Sequence, residues 1–361
     1  MSINSIGYTS QNMNALTPAN NASFGDNSQA MPQAQGSSGL GKVVVGAGLL
    51  GLAATGVYLV TKHRFKPIEF KPAKNISEAK AFSSHKLGVK MQKDDVPLDV
   101  ANFINEAFCY LRNNTRNNFR LRFFTFNKVK PNGKKDFNTF AQLVTNAPST
   151  NGYGIAFNKS FFDKIDKHVA REIKTAMGKG QENSVAFLKY ENGSYALDEI
   201  SPRFDIENEV LSLANKFKKS ARSMTLKEKF TLLDGLANMK NSINSLAQRG
   251  ELGKVSEAVH VKCNPFHHLF SLNGGVELTQ KLGADKVNNM LPIDCIKGSN
   301  ADMNTVLDFL ANNTTTARMV SENAAKSPYH FVTETYARML NGEKFDKEVM
   351  DLYSKLEGPR V

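Results

Sequence analysis

Apolar residues recur at helical spacing through Val100, Phe103, Ile104, Ala107, Phe108 and Leu111, just after Pro97 and Asp99, and this predicts an amphipathic helix. Phe119, Leu121 and Phe123 alternate with Arg120, Arg122 and Phe124, the period of a strand, and Gly152 to Asn158 reads as another. Ser184–Tyr190 and Ser194–Asp198 flank Asn192-Gly193, a dipeptide that accepts the positive φ of a type I′ turn, so these two runs predict a hairpin. Beyond residue 205 the pattern is helical almost throughout. One helix is expected over Asp205–Ala221, and a second over Thr225–Gln248 behind a Thr225/Glu228 capping box. Residues 96–361 therefore predict one α+β domain, predominantly helical, with a small sheet.

The region before it has a different character. Residues 1–41 carry a single charge, Asp26, and are rich in Asn, Ser, Gln and Gly, which leaves too little apolar surface to offset chain entropy, and residues 1–42 are expected as a disordered tail. Val43 to Val60 is then free of charge between Lys42 and the group Lys62, His63, Arg64 and Lys66. As a helix this run would be ~27 Å long, about one hydrocarbon core. A single transmembrane helix is expected at 43–61, with residues 62–95 as a basic linker near an anionic lipid surface. Lys62, Arg64, Lys66, Lys71, Lys74 and Lys80 follow the span where only Lys42 precedes it, so charge bias puts a membrane-anchored C-terminal domain in the cytoplasm. Ala47, Gly51 and Thr55 would form a small helix face able to pack against another span in a homo-oligomer.

The same segment has a rival reading. Gly46-Ala47-Gly48-Leu49-Leu50-Gly51 matches a GxGxxG dinucleotide fingerprint, with Glu69 placed about where a ribose-binding acid would fall, as in an oxidoreductase. Three features count against it. The following helix would be apolar on every face, Pro67 would interrupt the next strand, and the polar stretch 70–95 offers no further βαβ unit.

Composition narrows the rest. With 361 residues, 41% hydrophobic and 22% charged, the chain is globular rather than wholly disordered or multi-spanning. A net charge of +12 favours anionic partners in general. Cys109, Cys263 and Cys295 are far apart and odd in number, which supports neither a disulfide framework nor a cysteine zinc site. Arg112 to Lys135 interleaves basic and aromatic residues, with Arg120 and Arg122 beside Phe124 and Phe126. A half-buried strand with one solvated face explains those letters better than a nucleic-acid surface.

The histidines are the more informative chemistry. Cys263-Asn264-Pro265-Phe266-His267-His268-Leu269-Phe270-Ser271 leads into a helical region, and Ser327-Pro328-Tyr329-His330-Phe331-Val332-Thr333-Glu334 follows about sixty residues later. With Ala317 to Ala324, Gly342, Glu348 to Tyr353 and Gly358-Pro359, this C-terminal stretch resembles the end of the anthrax-lethal-factor-like zinc metallopeptidases. In that family a HExxH helix precedes a Ser/Tyr segment and an EFxAE helix. The resemblance implies a zincin-like domain in which His267 takes the first histidine position, His268 replaces the general-base glutamate and Ser271 the second histidine. Asn323 falls at the tyrosine, His330 at the third ligand, and Glu334 at the acid that braces a ligand histidine from the second shell.

Without its carboxylate base such a domain loses most of its transition-state stabilisation. The resemblance therefore implies an inactive, metallopeptidase-like module that binds a protein or peptide, with a catalytically active peptidase on a rearranged ligand set as the alternative. No cofactor is expected, zinc being the one candidate, at a remodelled site of His267, His268 and His330. Three hydrogen-bonded histidines without an ion are the competing reading.

Overall fold

The computed structural model describes residues 67–92, 95–115, 121–127, 139–145, 153–179, 185–296 and 302–361. The predicted amphipathic helix is α2, Leu98–Asn114, whose buried stripe is Val100, Phe103, Ile104, Ala107, Phe108 and Leu111. Before it stands α1, Ile76–Phe82, capped by the Asn75 side chain on the Glu78 amide, then a π-helical turn Ser83–Leu87 and a two-residue strand β1, Lys90–Met91.

Part of the stretch expected as linker is thus built into the fold. Asn102 bonds both the amide and the carbonyl of Ala73, and Asn105 donates to the Ala79 carbonyl. Ala79, Leu87, Val89 and Met91 are buried, and their sparse spacing among lysines conceals the pattern in the sequence.

β2 (Leu121–Asn127), β3 (Ala141–Thr145) and β4 (Tyr153–Asn158) complete a mixed sheet in the order β1-β2-β4-β3. β1, β2 and β4 run parallel, and β3 is the antiparallel outer strand. β2 is covered on both faces. Phe123, Phe124 and Phe126 are all buried and Arg122 alone points to solvent, so Phe124 and Phe126 offer no ring to a nucleic-acid base. Arg120 lies outside the described residues.

α3 (Lys159–Phe162) and α4 (Ile165–Ala176) follow, then the hairpin of β5 (Leu188–Glu191) and β6 (Ser194–Leu197). Asn192 and Gly193 both take positive φ, 49° and 82°, as the predicted turn requires. α5, Glu207–Ser220, and α6, Leu226–Gln248, occupy the two long helical segments. The capping box at Thr225 and Glu228 is formed in both directions. One ring ties the layers together. Phe140, just before β3, meets Phe157, Phe161, Phe162, Phe230 and His268 at centroid distances of 5.5–5.6 Å, and aromatic pairs at such separations add stabilisation beyond burial alone.

The C-terminal part is α-helical: α7 (His267–Leu282), α8 (Ala284–Asn288), α9 (Ile293–Ile296), α10 (Asn304–Asn312), α11 (Thr314–Val320), α12 (Pro328–Leu340) and α13 (Lys347–Lys355).

The fold is predominantly helical with a small mixed sheet, and the expectation of a preceding single transmembrane helix is corrected. No helix among the described residues is long and apolar enough to cross a membrane. The longest, α6, carries Lys227, Glu228, Lys229, Asp234 and Lys240 around its apolar stripe, as a helix packed on one side must. The segment 43–61 with Ala47, Gly51 and Thr55, the GxGxxG glycines and the tail 1–42 lie outside the described residues.

α7 and α12 pack against each other, and two adjacent glycines on α7 make the approach possible. A Cβ on Gly275 would stand 2.0 Å from the Tyr329 hydroxyl, and one on Gly274 2.7 Å from Tyr336 Cδ1. Both tyrosines are 1% exposed and have no room to retreat. Gly275→Ala is expected to destabilise by about 1–3 kcal/mol in thermal or urea unfolding, although alanine is the better helix former. Tyr329→Phe in the same chain should recover part of the loss, because it removes the nearest atom.

Candidate functional site

The site is assembled where α7 begins. Asn264 accepts from the Phe266 amide through its side chain, while its own amide donates to Asp234 Oδ2 on α6 at 2.7 Å. Asn238, one turn along α6, donates to the same carboxylate oxygen at 3.0 Å. This fixes His267 and His268 at the first turn of α7. On the other side Ser327 caps α12 by accepting from the His330 amide, and Pro328 at the first turn needs no donor. His330, Glu334 and Arg338 then lie at i, i+4 and i+8 along one side of α12.

The structure brings His267 and Glu334 together. His267 Nε2 is 3.0 Å from Glu334 Oε2, with side chains 11% and 6% exposed. Asn323 donates to Glu334 Oε1 at 3.0 Å and the Ser321 hydroxyl to Oε2 at 3.4 Å. Lys326 donates in turn to Asn323 Oδ1 at 2.8 Å, which fixes the Asn323 amide so that its nitrogen faces the carboxylate. Arg338 does not pair with Glu334 at i,i+4 as an isolated amphipathic helix would have it. Its guanidinium donates to Asn238 Oδ1 at 2.8 Å and to Glu343 Oε1 at 2.9 Å, which joins α12 to α6.

The charges follow from this packing. Burial works to raise the Glu334 carboxyl, but the charge and hydrogen bond of His267, with Arg338 and Asn323, outweigh it and hold the group well below the usual carboxylate range. Burial likewise opposes a charge on His267, yet Glu334 and Asp234 raise its imidazole above the ordinary value. The two are a buried ion pair. His268 and His330 have no such acid in contact, and burial depresses each to about 4, with the His267 charge adding to the first and Lys326 to the second. Burial raises Asp234 to about 6 against the pull of His267 and Arg338.

The expected metal set does not come together. Among the described residues no group of three or more His, Cys, Asp or Glu side chains is placed to hold a metal ion. His267 spends Nε2 on Glu334. His268 packs its ring against Phe140 at 5.5 Å, and His330 Nδ1 faces the Ser327 hydroxyl at 3.1 Å. The residues present do not fit a zinc ion, because the nitrogen that would bind it is already bonded to a carboxylate. His268 Nδ1, His330 Nε2 and the Ser271 hydroxyl are buried with no hydrogen-bond partner among the described residues. Ser271 is 0% exposed, so its hydroxyl is not presented to a substrate at the surface.

A second buried polar group lies further along the same helix pair. The Tyr336 hydroxyl donates to Glu277 Oε1 at 2.8 Å and accepts from Asn273 at 3.0 Å. Sequence reasoning reached His267, Glu334 and the position of Asn323 but missed Asp234, Asn238, Lys326, Asn273, Glu277 and Tyr336. The one available signal was the density of Asn and charged residues on helices that are otherwise apolar. The arrangement is a closed polar layer that clamps α6, α7 and α12, with every ionised carboxylate in it already satisfied. Compared with family models, curated proteins and solved structures, the chain matches none.

Proposed function

We propose that the chain is a peptide-binding module on a metallopeptidase-like helical scaffold, one that holds an extended segment without cutting it. The observation that carries this reading is the outer strand β3. It pairs only with β4 among the described residues, runs antiparallel to it, and begins beside Phe140, whose ring meets His268 on α7. An antiparallel outer strand next to a helix N-terminus can accept a further strand through main-chain hydrogen bonds, with side-chain pockets supplying selectivity. The resemblance of residues 317–359 to the lethal-factor-like family supports the same ancestry. The loss of cutting follows from the resemblance itself, in which His268 stands where the family has its general-base glutamate, and that imidazole is packed against Phe140.

The test is a peptide-library binding screen of the purified full chain, with hydrogen exchange on the tightest complexes and zinc content measured in parallel. Slower exchange at the amides of residues 141–145, with peptide recovered intact, is the expected result. Stoichiometric zinc with chelator-sensitive cleavage of casein would establish an active peptidase instead, and the absence of both binding and cleavage would overturn the proposal.

A further inference from the structure

At the other edge of the sheet, remote in sequence from the histidines, a surface cavity of about 450 Å³ is lined by Lys80, Ser84, Gly88, Lys90, Met91 and Arg122. Its walls come from three elements. α1 supplies Lys80, β1 supplies Lys90, and β2, paired parallel to β1, supplies Arg122. The π-helical turn sets the geometry. It ends on Gly88 in the left-handed region (φ 70°), which reverses the chain into β1, and the Ser83 hydroxyl closes the reversal by donating to the Val89 carbonyl at 2.6 Å. Insertions of this kind in helices recur at functional sites. The Arg112 guanidinium donates to the Leu87 carbonyl, next to Gly88, so a further cation stands close to this turn.

Among the described residues no carboxylate lines this cavity. Lys90 and Arg122 are exposed, and neither makes an ion pair with an acid among the described residues. Lys90 and Arg122, two like charges on neighbouring strands without a counter-charge among the described residues, repel, and a multivalent anion relieves that repulsion. The volume lies in the range of small-molecule sites and exceeds what a halide would fill. A guanidinium and an ammonium lining one cavity suit a phosphate dianion: the planar fork binds two oxygens and the ammonium supplies a point charge.

We propose that this cavity binds a phosphate monoester, carried by a soluble small molecule or a lipid headgroup, through Lys90 and Arg122. The site stands apart from the peptide-binding reading and survives its failure. Isothermal titration of the full chain with inorganic phosphate at constant ionic strength is expected to give one saturable site. Arg122→Gln should weaken it about tenfold or more, the usual worth of one charge-assisted contact, and Lys90→Gln should act in the same direction. Lys86→Gln, exposed on the same turn but outside the lining, should leave the affinity unchanged. Two further arms identify the source. Co-sedimentation with phosphatidylcholine vesicles containing phosphatidylinositol 4-phosphate, reversed by inorganic phosphate, assigns a lipid headgroup. Phosphate binding without vesicle binding assigns a soluble ester. No saturable phosphate binding, an affinity indifferent to both Arg122→Gln and Lys90→Gln, or binding of duplex DNA that phosphate does not compete would each overturn the proposal.

Discussion

Glu334→Ala is expected to cost the fold about 3–5 kcal/mol near pH 6, the loss found when one member of a buried ion pair is removed and its partner stays. The alanine would strand several groups at once. His267 loses the acid that keeps its imidazole charged, and Asn323 and Ser321 lose the carboxylate oxygens to which they donate. Lys326 remains on Asn323, but an Asn323 with nothing to donate to is a poor anchor for the turn before α12. Glu334→Gln keeps the volume and one acceptor oxygen, so its cost should be about half as large. The pair also sets its own pH window. The depressed carboxyl contributes stability that is present above the unfolded value and lost as pH falls further. The raised imidazole contributes stability that is complete below about 6.5 and lost as pH rises through its folded value. The two overlap between about pH 5 and 6.5. Urea titrations of both variants at pH 6 measure the effect, and a loss under about 1 kcal/mol for the alanine would mean that the pair is solvated rather than buried.

The second large effect concerns acid. His330 is 4% exposed and burial holds it to about 4, whereas a histidine in an unfolded chain titrates near about 6.5. Between those values the unfolded chain binds more protons than the folded one. Stability from the neutral ring is therefore complete above pH ~6.5 and is lost as pH falls toward about 4, by about 3 kcal/mol in total. His268 acts in the same direction. Asp234 acts the other way, since its carboxyl is raised to about 6 and it takes up a proton in the folded state across the same range. A comparison of two chains isolates one group. His330→Gln should show a fall in stability between pH 7 and pH 4.5 that is smaller than the parent's by about 2–3 kcal/mol, measured by urea unfolding at both values. Parallel curves would mean that the ring already has access to water.

The amphipathic helix around Phe103 and Phe108, the Asn192-Gly193 hairpin and the capping box of α6 were legible because each is written locally, in spacing or in a few adjacent letters. β1 and β3 were not. β1 is two residues long, and β3 has no strict alternation, so both are defined chiefly by what they pair with. β2 misled because both of its faces are covered, which replaces alternation with a run of buried phenylalanines. In the candidate site, His267 and Glu334 stood out as residue types within a resemblance, and their contact spans 67 positions. Asp234 and Asn238 are one turn apart on α6, but nothing periodic links them to Arg338, which reaches Asn238 only once α6 and α12 are packed. The convergence of His268 and His330 on an ion failed for a physical reason. Each ring found a neutral neighbour, Phe140 or Ser327, in place of a shared point.

The stitching of Ala73 and Ala79 to α2 through Asn102 and Asn105 fixes where an autonomous piece of this chain can begin. A fragment cut at residue 96 would strip the outermost parallel strand, leave the amides of β2 bare along one border, and uncap two asparagines chosen to hold what was removed. Such an open border invites sticking between copies, so the lysine-rich stretch is masonry of the sheet rather than its leash.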